Sequence, residues 1–175
     1  MQPQPHPAAG TRALHLALGT GQTAAGPDWH HTTRPADNAS ADLRLDTVFV
    51  SLLKAYRPSG GLAQGDELAT RLHIDGGGGY ARLARWIVGR QVFSFAWHEQ
   101  FWLPLFQFNP GDLTLHSGLR PVLAELGAVM DGWALAHWFV QPNDALQGQT
   151  PVLMWSSDWP EVFQAARQQR FVTKG

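Results

Sequence analysis

Arginine side chains recur in the stretch YARLARWIVGR, residues 80–90, where they could contact the phosphates of a nucleic acid. Arg82, Arg85 and Arg90 stand in a window from residue 76 to residue 98 that contains no Asp or Glu. Arg82 and Arg85 are three residues apart and share one face if the stretch is helical. Such phosphate contacts position a protein on DNA. We predict DNA binding by these three arginines, and a solvated helix face without a binding role stays open as the alternative.

Residue types that catalyse reactions are present, but their spacing does not fit a catalytic set. His116 directly precedes Ser117, and no G-x-S-x-G sequence occurs in the chain. Neighbouring residues rarely form a nucleophile and base pair. The acids that could act as general acid and base, Asp112, Glu125 and Asp131, suit helix caps and solvated faces better. We therefore predict no catalytic residues and no enzyme activity.

Histidines and glycines elsewhere give no metal or phosphate site. Adjacent side chains such as those of His30 and His31 diverge, and no cysteine is present to supply a thiolate ligand. The glycine run that precedes residue 80 lacks the Lys-Ser/Thr ending of a phosphate-binding loop. His137 is typical of a packed histidine because it stands between tryptophans. We predict no metal and no cofactor; a small hydrolytic enzyme that uses His116, His137 and nearby acids remains the enzymatic alternative.

Composition narrows the class of protein that could carry these residues. Of 175 residues, 44% are hydrophobic and 15% charged, with 8 Trp and 9 Phe and a net charge of -1. So many large rings must be buried or presented to a partner. The neutral charge excludes a general polycation for nonspecific nucleic-acid binding. No apolar run is long enough for a signal sequence or a membrane span, so we predict a cytoplasmic protein without membrane contact.

Helical and extended periodicities alternate along the chain and define its expected elements. We predict helices in DLRLDTVFVSLLKAY with Asp42 as N-cap, in AQGDELATRLH, in YARLARWIVGR, in LRPVLAELGAV, and in DGWALAHWFV with Asp131 as N-cap. Two more helices follow, one begun by Thr150-Pro151 and one capped by Ser157 or Asp158. The stretches QVFSFAW and FWLPLFQF predict a β-hairpin near 91–97 and 101–108, in which Pro104 indicates an edge or bulged strand.

These elements predict a mainly α fold with a small β-hairpin, an α+β arrangement in two halves. Residues 1–41, rich in Pro, Gly and Ala, are expected to form a disordered or loosely ordered tail. Residues 42–109 have the element order of a helix-turn-helix followed by a hairpin wing. Residues 110–175 are expected to form a helical half.

The stretch WFVQPNDALQGQTPVLMW, residues 138–155, resembles the toxin-binding domain of the Xre/MbcA/ParS antitoxins. That family has a Trp-Leu, a Pro-Asn, a Leu-Gly-Gly and a Thr/Ser-Pro before a short apolar helix. Here Trp138-Phe139, Pro142-Asn143, Leu146-Gln147-Gly148 and Thr150-Pro151 match in order and spacing. Gln147 stands where the family usually has a glycine. The resemblance covers about residues 119–170, and WLPLFQF resembles a Pro-x-Phe-Gln-Phe strand that links the two halves in a variant branch.

The resemblance implies an antitoxin-like regulatory protein. In the family, the C-terminal domain binds a RES-type toxin, an enzyme that consumes NAD, and the DNA-binding half represses its own operon. Carried over to this chain, it implies a helical toxin-binding domain in residues 110–175. We predict that Trp138, Asn143, Leu146, Trp155 and Trp159 bind the partner, and a core role for Trp138, Leu146 and Trp155 is the alternative. We further expect a homodimer, as small repressors often pair to read two half-sites. A partner-binding module without DNA activity is the alternative.

Overall fold

The computed structural model describes the backbone of residues 35–74 and 78–174 and the side chains of residues 42–73 and 78–173. The predicted tail lies outside this range as far as residue 34, as do His30 and His31. Residues 35–41, which were assigned to the same tail, belong to the first helix, which begins at Pro35. Asp42 is therefore an exposed residue inside that helix, and its predicted role as N-cap is wrong.

Helices dominate the described chain, and three short strands form one small sheet. The fold class predicted from the sequence, mainly α with a small β-hairpin, is confirmed. The helices are α1 (Pro35–Tyr56), α2 (Gly65–Ile74), α3 (Gly79–Val88), α4 (Leu119–Leu126), α5 (Gly132–Val140) and α6 (Pro151–Lys174). The strands are β1 (Leu62–Gln64), β2 (Phe95–Trp97) and β3 (Gln100–Pro104), and 3-10 turns occupy Arg57–Ser59, Leu105–Gln107 and Asp144–Leu146.

The sheet is antiparallel with the order β1-β3-β2. The predicted hairpin is present as β2 and β3, shorter than expected, with Phe95 opposite Trp102 and Trp97 opposite Gln100. A third strand that the sequence did not predict, β1, pairs with β3 and sets Leu62 opposite Pro104. The strand that contains Pro104 is consequently the middle strand and not an edge strand. Proline is tolerated there because it is the last residue of β3.

The side chain of the buried Gln107 makes the backbone hydrogen bonds that Pro104 cannot make at the end of the sheet. Extending the register of β2 and β3 by two residues sets Phe93 opposite Pro104, which has no N–H to offer the Phe93 carbonyl. The side chain of Gln107 takes its place. Its Oε1 accepts from the Phe93 N–H at 2.8 Å, and its Nε2 donates to the carbonyls of Phe93 at 3.0 Å and Pro104 at 3.1 Å. All polar atoms of this fully buried amide are thereby paired.

One hydrophobic core runs through residues before and after residue 110. The buried Tyr56 hydroxyl of α1 donates to the carbonyl of Ala136 in α5 at 2.8 Å. The ring of Phe93 stacks on that of Phe139, with centroids 5.4 Å apart. A Cβ at Gly132 would overlap the carbonyl oxygen of Ser94, so α5 begins directly against the segment before β2. The two predicted halves thus share one core.

Polar residues set the ends of the later helices. Asp131 caps α5 as predicted, since its carboxylate accepts from the Ala134 N–H at 2.8 Å. The predicted break at Asp158 is also present: α6 is kinked there, and the carboxylate accepts from the Glu161 N–H at 3.4 Å. Thr150 was predicted to cap the start of α6, but its hydroxyl is buried with no hydrogen-bond partner among the described residues. None of the helices that the structure describes has the length and apolarity needed to cross a bilayer.

Candidate functional site

Helices α2 and α3 pack so closely that the backbone of α3 contacts the backbone of α2 at Gly79. The turn between them includes residues 75–77, which lie outside the described range. A Cβ at Gly79 would overlap the carbonyl oxygen of Ala69 and lie 2.7 Å from the His73 nitrogen. Only glycine lets the first turn of α3 come this close to α2. The amphipathic sequence of α3 then buries Leu83 and leaves the opposite face outside.

The exposed face of α3 is mostly apolar and carries one exposed arginine. Tyr80 is 60% exposed and Val88 84%, and Ala81, Ala84 and Arg85 are exposed between them. Arg82 lies half-buried at the flank of this face. Side chains of these types can act in a major groove, where Arg pairs with guanine and small apolar groups contact the thymine methyl.

Arg90 does not belong to the same face. It follows the end of α3 in a left-handed conformation, with φ 52. Its Nη1 lies 3.4 Å from the carbonyl oxygen of Gly127, just beyond the end of α4, where a cation is favourable. The structure therefore brings Arg82 and Arg85 together on one helix and directs Arg90 towards α4. The sequence placed all three in one stretch but could not show where the chain turns after Val88.

The β-hairpin beside these helices is fastened to α1. Its two-residue turn, His98 and Glu99, has both residues in the left-handed region, with φ 45 and 60. The carboxylate of Asp46 on α1 accepts from Trp97 Nε1 at 3.1 Å and contacts His98 Nε2 at 2.9 Å. The Trp97 ring stacks on Phe49, with centroids 3.7 Å apart. The position of the hairpin is thus set by aromatic packing and by one shared carboxylate.

The elbow, residues 141–150 between α5 and α6, is a network of local hydrogen bonds centred on Asn143. Its side chain accepts from the Ala145 N–H at 2.9 Å, its carbonyl accepts from the Gly148 N–H at 2.9 Å, and its own N–H donates to the Gln149 carbonyl at 3.0 Å. Gln147 and Gly148 both adopt positive φ, 57 and 78. Asn143 is therefore the residue that shapes the elbow.

Gln147 is strained, because its φ of 57 is a left-handed conformation that is costly for any residue with a Cβ. We expect Gln147→Gly to raise the free energy of unfolding by about 0.5–1 kcal/mol. Gln149→Gly, at an exposed neighbour without positive φ, should instead lower it. Urea denaturation followed by tryptophan fluorescence measures both, and a loss of stability in Gln147→Gly would contradict the assignment.

Most of the residues that were predicted to bind the partner are buried beneath the surface near the elbow. Trp138, Leu146 and Trp155 are 8%, 3% and 2% exposed, so each offers a partner little surface, and Trp138 does so where it lines the groove described below. Asn143 is half-buried in the elbow, and Trp159 is half-buried against Gly118, where a Cβ would come within 2.5 Å of the indole ring. The sequence indicated large apolar side chains near the elbow, but their type alone does not distinguish core from contact.

A groove that the sequence did not indicate lies beside the elbow, with a volume of about 630 Å³. It separates α5 and the elbow from the last turns of α6. Its lining combines amides and small or apolar side chains, among them Gln141, Asn143, Ala145, Gln168, Gln169 and Val172. Val172 is 78% exposed and its neighbour Phe171 is 72% exposed. The groove and these two side chains form a surface suited to protein contact.

The candidate catalytic acids have structural partners. Asp112 accepts from the N–H and the hydroxyl of Thr114, and these bonds lower the pKa of its carboxyl. Glu125 of α4 pairs with Arg170 of α6 at 2.7 Å. Asp131 is the N-cap of α5. The three acids therefore serve a turn, a helix pair and a cap, and no described hydrogen bond joins any two of them.

The histidines fit the same pattern. His116 Nδ1 accepts from the Gly118 N–H at 3.2 Å, and no described hydrogen bond joins the ring to the exposed Ser117. His137 is half-buried and lines the groove beside the elbow. Within the described ranges, no group of three or more His, Cys, Asp or Glu side chains is placed to hold a metal ion.

Neither protein-family models, nor curated proteins, nor solved structures gave a match to this chain. Its function is therefore inferred from the two surfaces described above, the outer face of α3 and the groove beside the elbow.

Proposed function

We propose that this protein is an antitoxin-like regulator that binds a RES-type toxin through its C-terminal half and DNA upstream of its own gene through α3. The observation that carries the proposal is the elbow. The residues that resemble the family motif, from Trp138 to Pro151, lie together as a hydrogen-bonded elbow between two helices and beside an amide-rich groove. Nothing in the proposal requires catalysis, a metal or a cofactor.

The DNA-binding part is supported by the order and pairing of the elements in the first half. Two closely packed helices, α2 and α3, are followed by a hairpin, and β1 before α2 joins the same sheet. This is the arrangement that a helix-turn-helix with a wing requires. In the proposal, α3 enters the major groove, Arg85 contacts a base and Arg82 a phosphate. Arg90 is left out of this contact because it binds the carbonyl of Gly127.

The protein acts in the cytoplasm as a homodimer, and α1 offers the pairing surface. Leu43 is 68% exposed, and Val50 and Leu53 are also exposed on the side of α1 away from the core. An antiparallel second copy centred on Val50 would set Asp46 of each chain opposite Lys54 of the other. Such self-complementarity is what a two-fold interface needs. A dimer presents two α3 helices to two half-sites of an operator.

The DNA contact is tested by removing the two arginines of α3. We expect the Arg82→Ala/Arg85→Ala variant to bind its upstream DNA about 100-fold more weakly than the wild type, since contacts of this kind contribute about 1–3 kcal/mol each. Fluorescence anisotropy of a labelled upstream fragment gives the affinity. The matched control is Arg120→Ala/Arg167→Ala, which removes the same charge from exposed positions of α4 and α6. Equal loss in both variants would show a nonspecific charge effect and reject the assignment of α3.

The partner contact is tested by affinity purification of the tagged full chain from its native cells. Recovery of a RES-type, NAD-consuming protein supports the antitoxin proposal. Ala145→Arg, an exposed position in the groove, should abolish the recovery without altering the fold. Recovery of an unrelated partner that also depends on Ala145, together with no DNA binding, would favour the second candidate, a partner-binding module without DNA activity.

A further inference from the structure

A second cavity, apart from both surfaces, lies where the two halves of the chain meet. Its volume is about 520 Å³, within the range of small-molecule sites. It is lined by residues 58–60 after α1, by Arg71 of α2, by residues 105, 106, 108–110, 113 and 116 between β3 and α4, and by residues 152, 153, 155 and 156 of α6. The buried rings of Phe106, Phe108 and Trp155 give it an aromatic floor.

The charged residue that lines the cavity favours an anionic ligand. Arg71 is the only charged side chain among the described residues that line the cavity, and neither Asp nor Glu is among them. Its guanidinium Nη2 holds Glu67 at 2.6 Å on the outer side of α2. A guanidinium has five N–H donors, so this bond leaves others for an anion in the cavity. Glu67 does not line the cavity, so a cationic ligand there would meet the guanidinium of Arg71 and no carboxylate of the lining.

Two further N–H groups belong to lining residues and have no acceptor among the described residues. His116 Nδ1 accepts from the Gly118 N–H, which puts the ring proton of the neutral imidazole on Nε2. Burial lowers the pKa of this imidazole, which favours the neutral ring. The indole N–H of Trp155 is buried and has no hydrogen-bond partner in the described part of the chain. The lining thus has an excess of donors and lacks an acidic acceptor.

We propose that this cavity binds a small carboxylic acid with an aromatic body. The carboxylate pairs with Arg71 and accepts from His116 Nε2–H, and the ring packs on Phe106, Phe108 and Trp155. Both the preference for an acid and the preference for a ring follow from side chains at one site. Binding does not depend on the toxin or on DNA, so it stands or fails separately from the function proposed above.

Isothermal titration of the purified full chain with benzoate, phenylacetate and 2-naphthoate tests the proposal. We expect at least one of these acids to bind, and the uncharged 2-naphthylmethanol to bind at least about tenfold more weakly, as the loss of a charged hydrogen bond requires. Arg71→Gln should weaken the binding of the acid about tenfold or more and leave the affinity for the alcohol unchanged. Glu67→Gln removes a carboxylate that competes for Arg71, so it should strengthen the binding of the acid. Arg167→Gln, an exposed arginine outside the cavity, should change neither ligand.

Three outcomes would overturn the proposal. One is the absence of binding for all three acids, and another is equal affinity for 2-naphthoate and its alcohol. The third is unchanged binding in Arg71→Gln, which would move the site elsewhere. Because Arg71 is exposed and, among the described residues, pairs with Glu67 alone, its replacement is expected to leave the melting temperature nearly unchanged. A circular dichroism melt of each variant confirms that a folded protein was titrated.

Discussion

Replacing Gly79 with alanine is expected to lower the free energy of unfolding by about 3 kcal/mol, at the upper end of the cost of overpacking. Alanine is the better helix former and would stabilise an open helix position. Here, however, its Cβ would overlap the backbone carbonyl of Ala69 and approach the nitrogen of His73. Neither atom belongs to a side chain that can rotate away. Helices α2 and α3 must therefore move apart.

Urea denaturation followed by tryptophan fluorescence measures this effect. Gly111→Ala is the matched control, since a Cβ there meets no atom within 4 Å and the residue has no positive φ. The control should stay within about 0.5 kcal/mol of the wild type. If Gly79→Ala is as stable as Gly111→Ala, the close packing of α2 and α3 is wrong. Under the proposed function, Gly79→Ala should also weaken DNA binding, because the angle between α2 and α3 sets how α3 is presented.

Gln107→Leu is expected to lower the free energy of unfolding by about 3–5 kcal/mol, although leucine is a residue type that is often buried. The change leaves the Phe93 N–H and C=O and the Pro104 C=O without their present partner, and each buried polar group that loses its hydrogen bond costs about 1–3 kcal/mol. Gln107 is fully buried, so water cannot replace its amide. The exposed Gln164→Leu is the control and should change stability by less than about 0.5 kcal/mol.

A double-mutant cycle makes this prediction specific to the pairing of Gln107 with Phe93. Pro104→Ala restores the N–H that the register of β3 offers to the Phe93 carbonyl. In the Gln107→Leu background it should recover about 1 kcal/mol, the usual net contribution of one hydrogen bond. In the wild-type background the Phe93 carbonyl is already paired with Gln107, so the same change should not stabilise. Equal effects in both backgrounds would contradict the role assigned to Gln107.

The elements that local chemistry determines could be predicted from the sequence. The caps at Asp131 and Asp158 and the amphipathic pattern of α3 depend on residues within one or two turns. The start of α1 was missed because Pro, Asp, Asn and Ser also favour loops, and in PADNASAD nothing apolar gives a period. Strand β1 was missed because LAQ has only three residues and forms by pairing with β3, far along the chain.

In the candidate site, too, the features set by local spacing could be predicted and those set by tertiary packing could not. The sequence shows that Arg82 and Arg85 share a helix face, since that follows from spacing alone. It cannot show that Arg90 turns to Gly127, because this depends on how α3 ends and where α4 lies. The indole rings of Trp138 and Trp155 have the right chemistry for a partner contact, yet packing decides that they are core. The cavity was not visible either, as residues from 58 to 156 assemble it.

The most direct test of the regulatory proposal is a titration of the wild-type protein against labelled DNA from upstream of its gene at several salt concentrations. A dimer that places Arg82 and Arg85 of each chain on phosphates and bases should bind this DNA more tightly than an unrelated fragment of equal length. Its affinity should fall about tenfold between about 50 mM and about 200 mM salt, as the release of roughly two counterions by the two Arg82 side chains requires. No binding at the lowest salt, or equal affinity for the unrelated fragment at every salt concentration, would contradict the proposal.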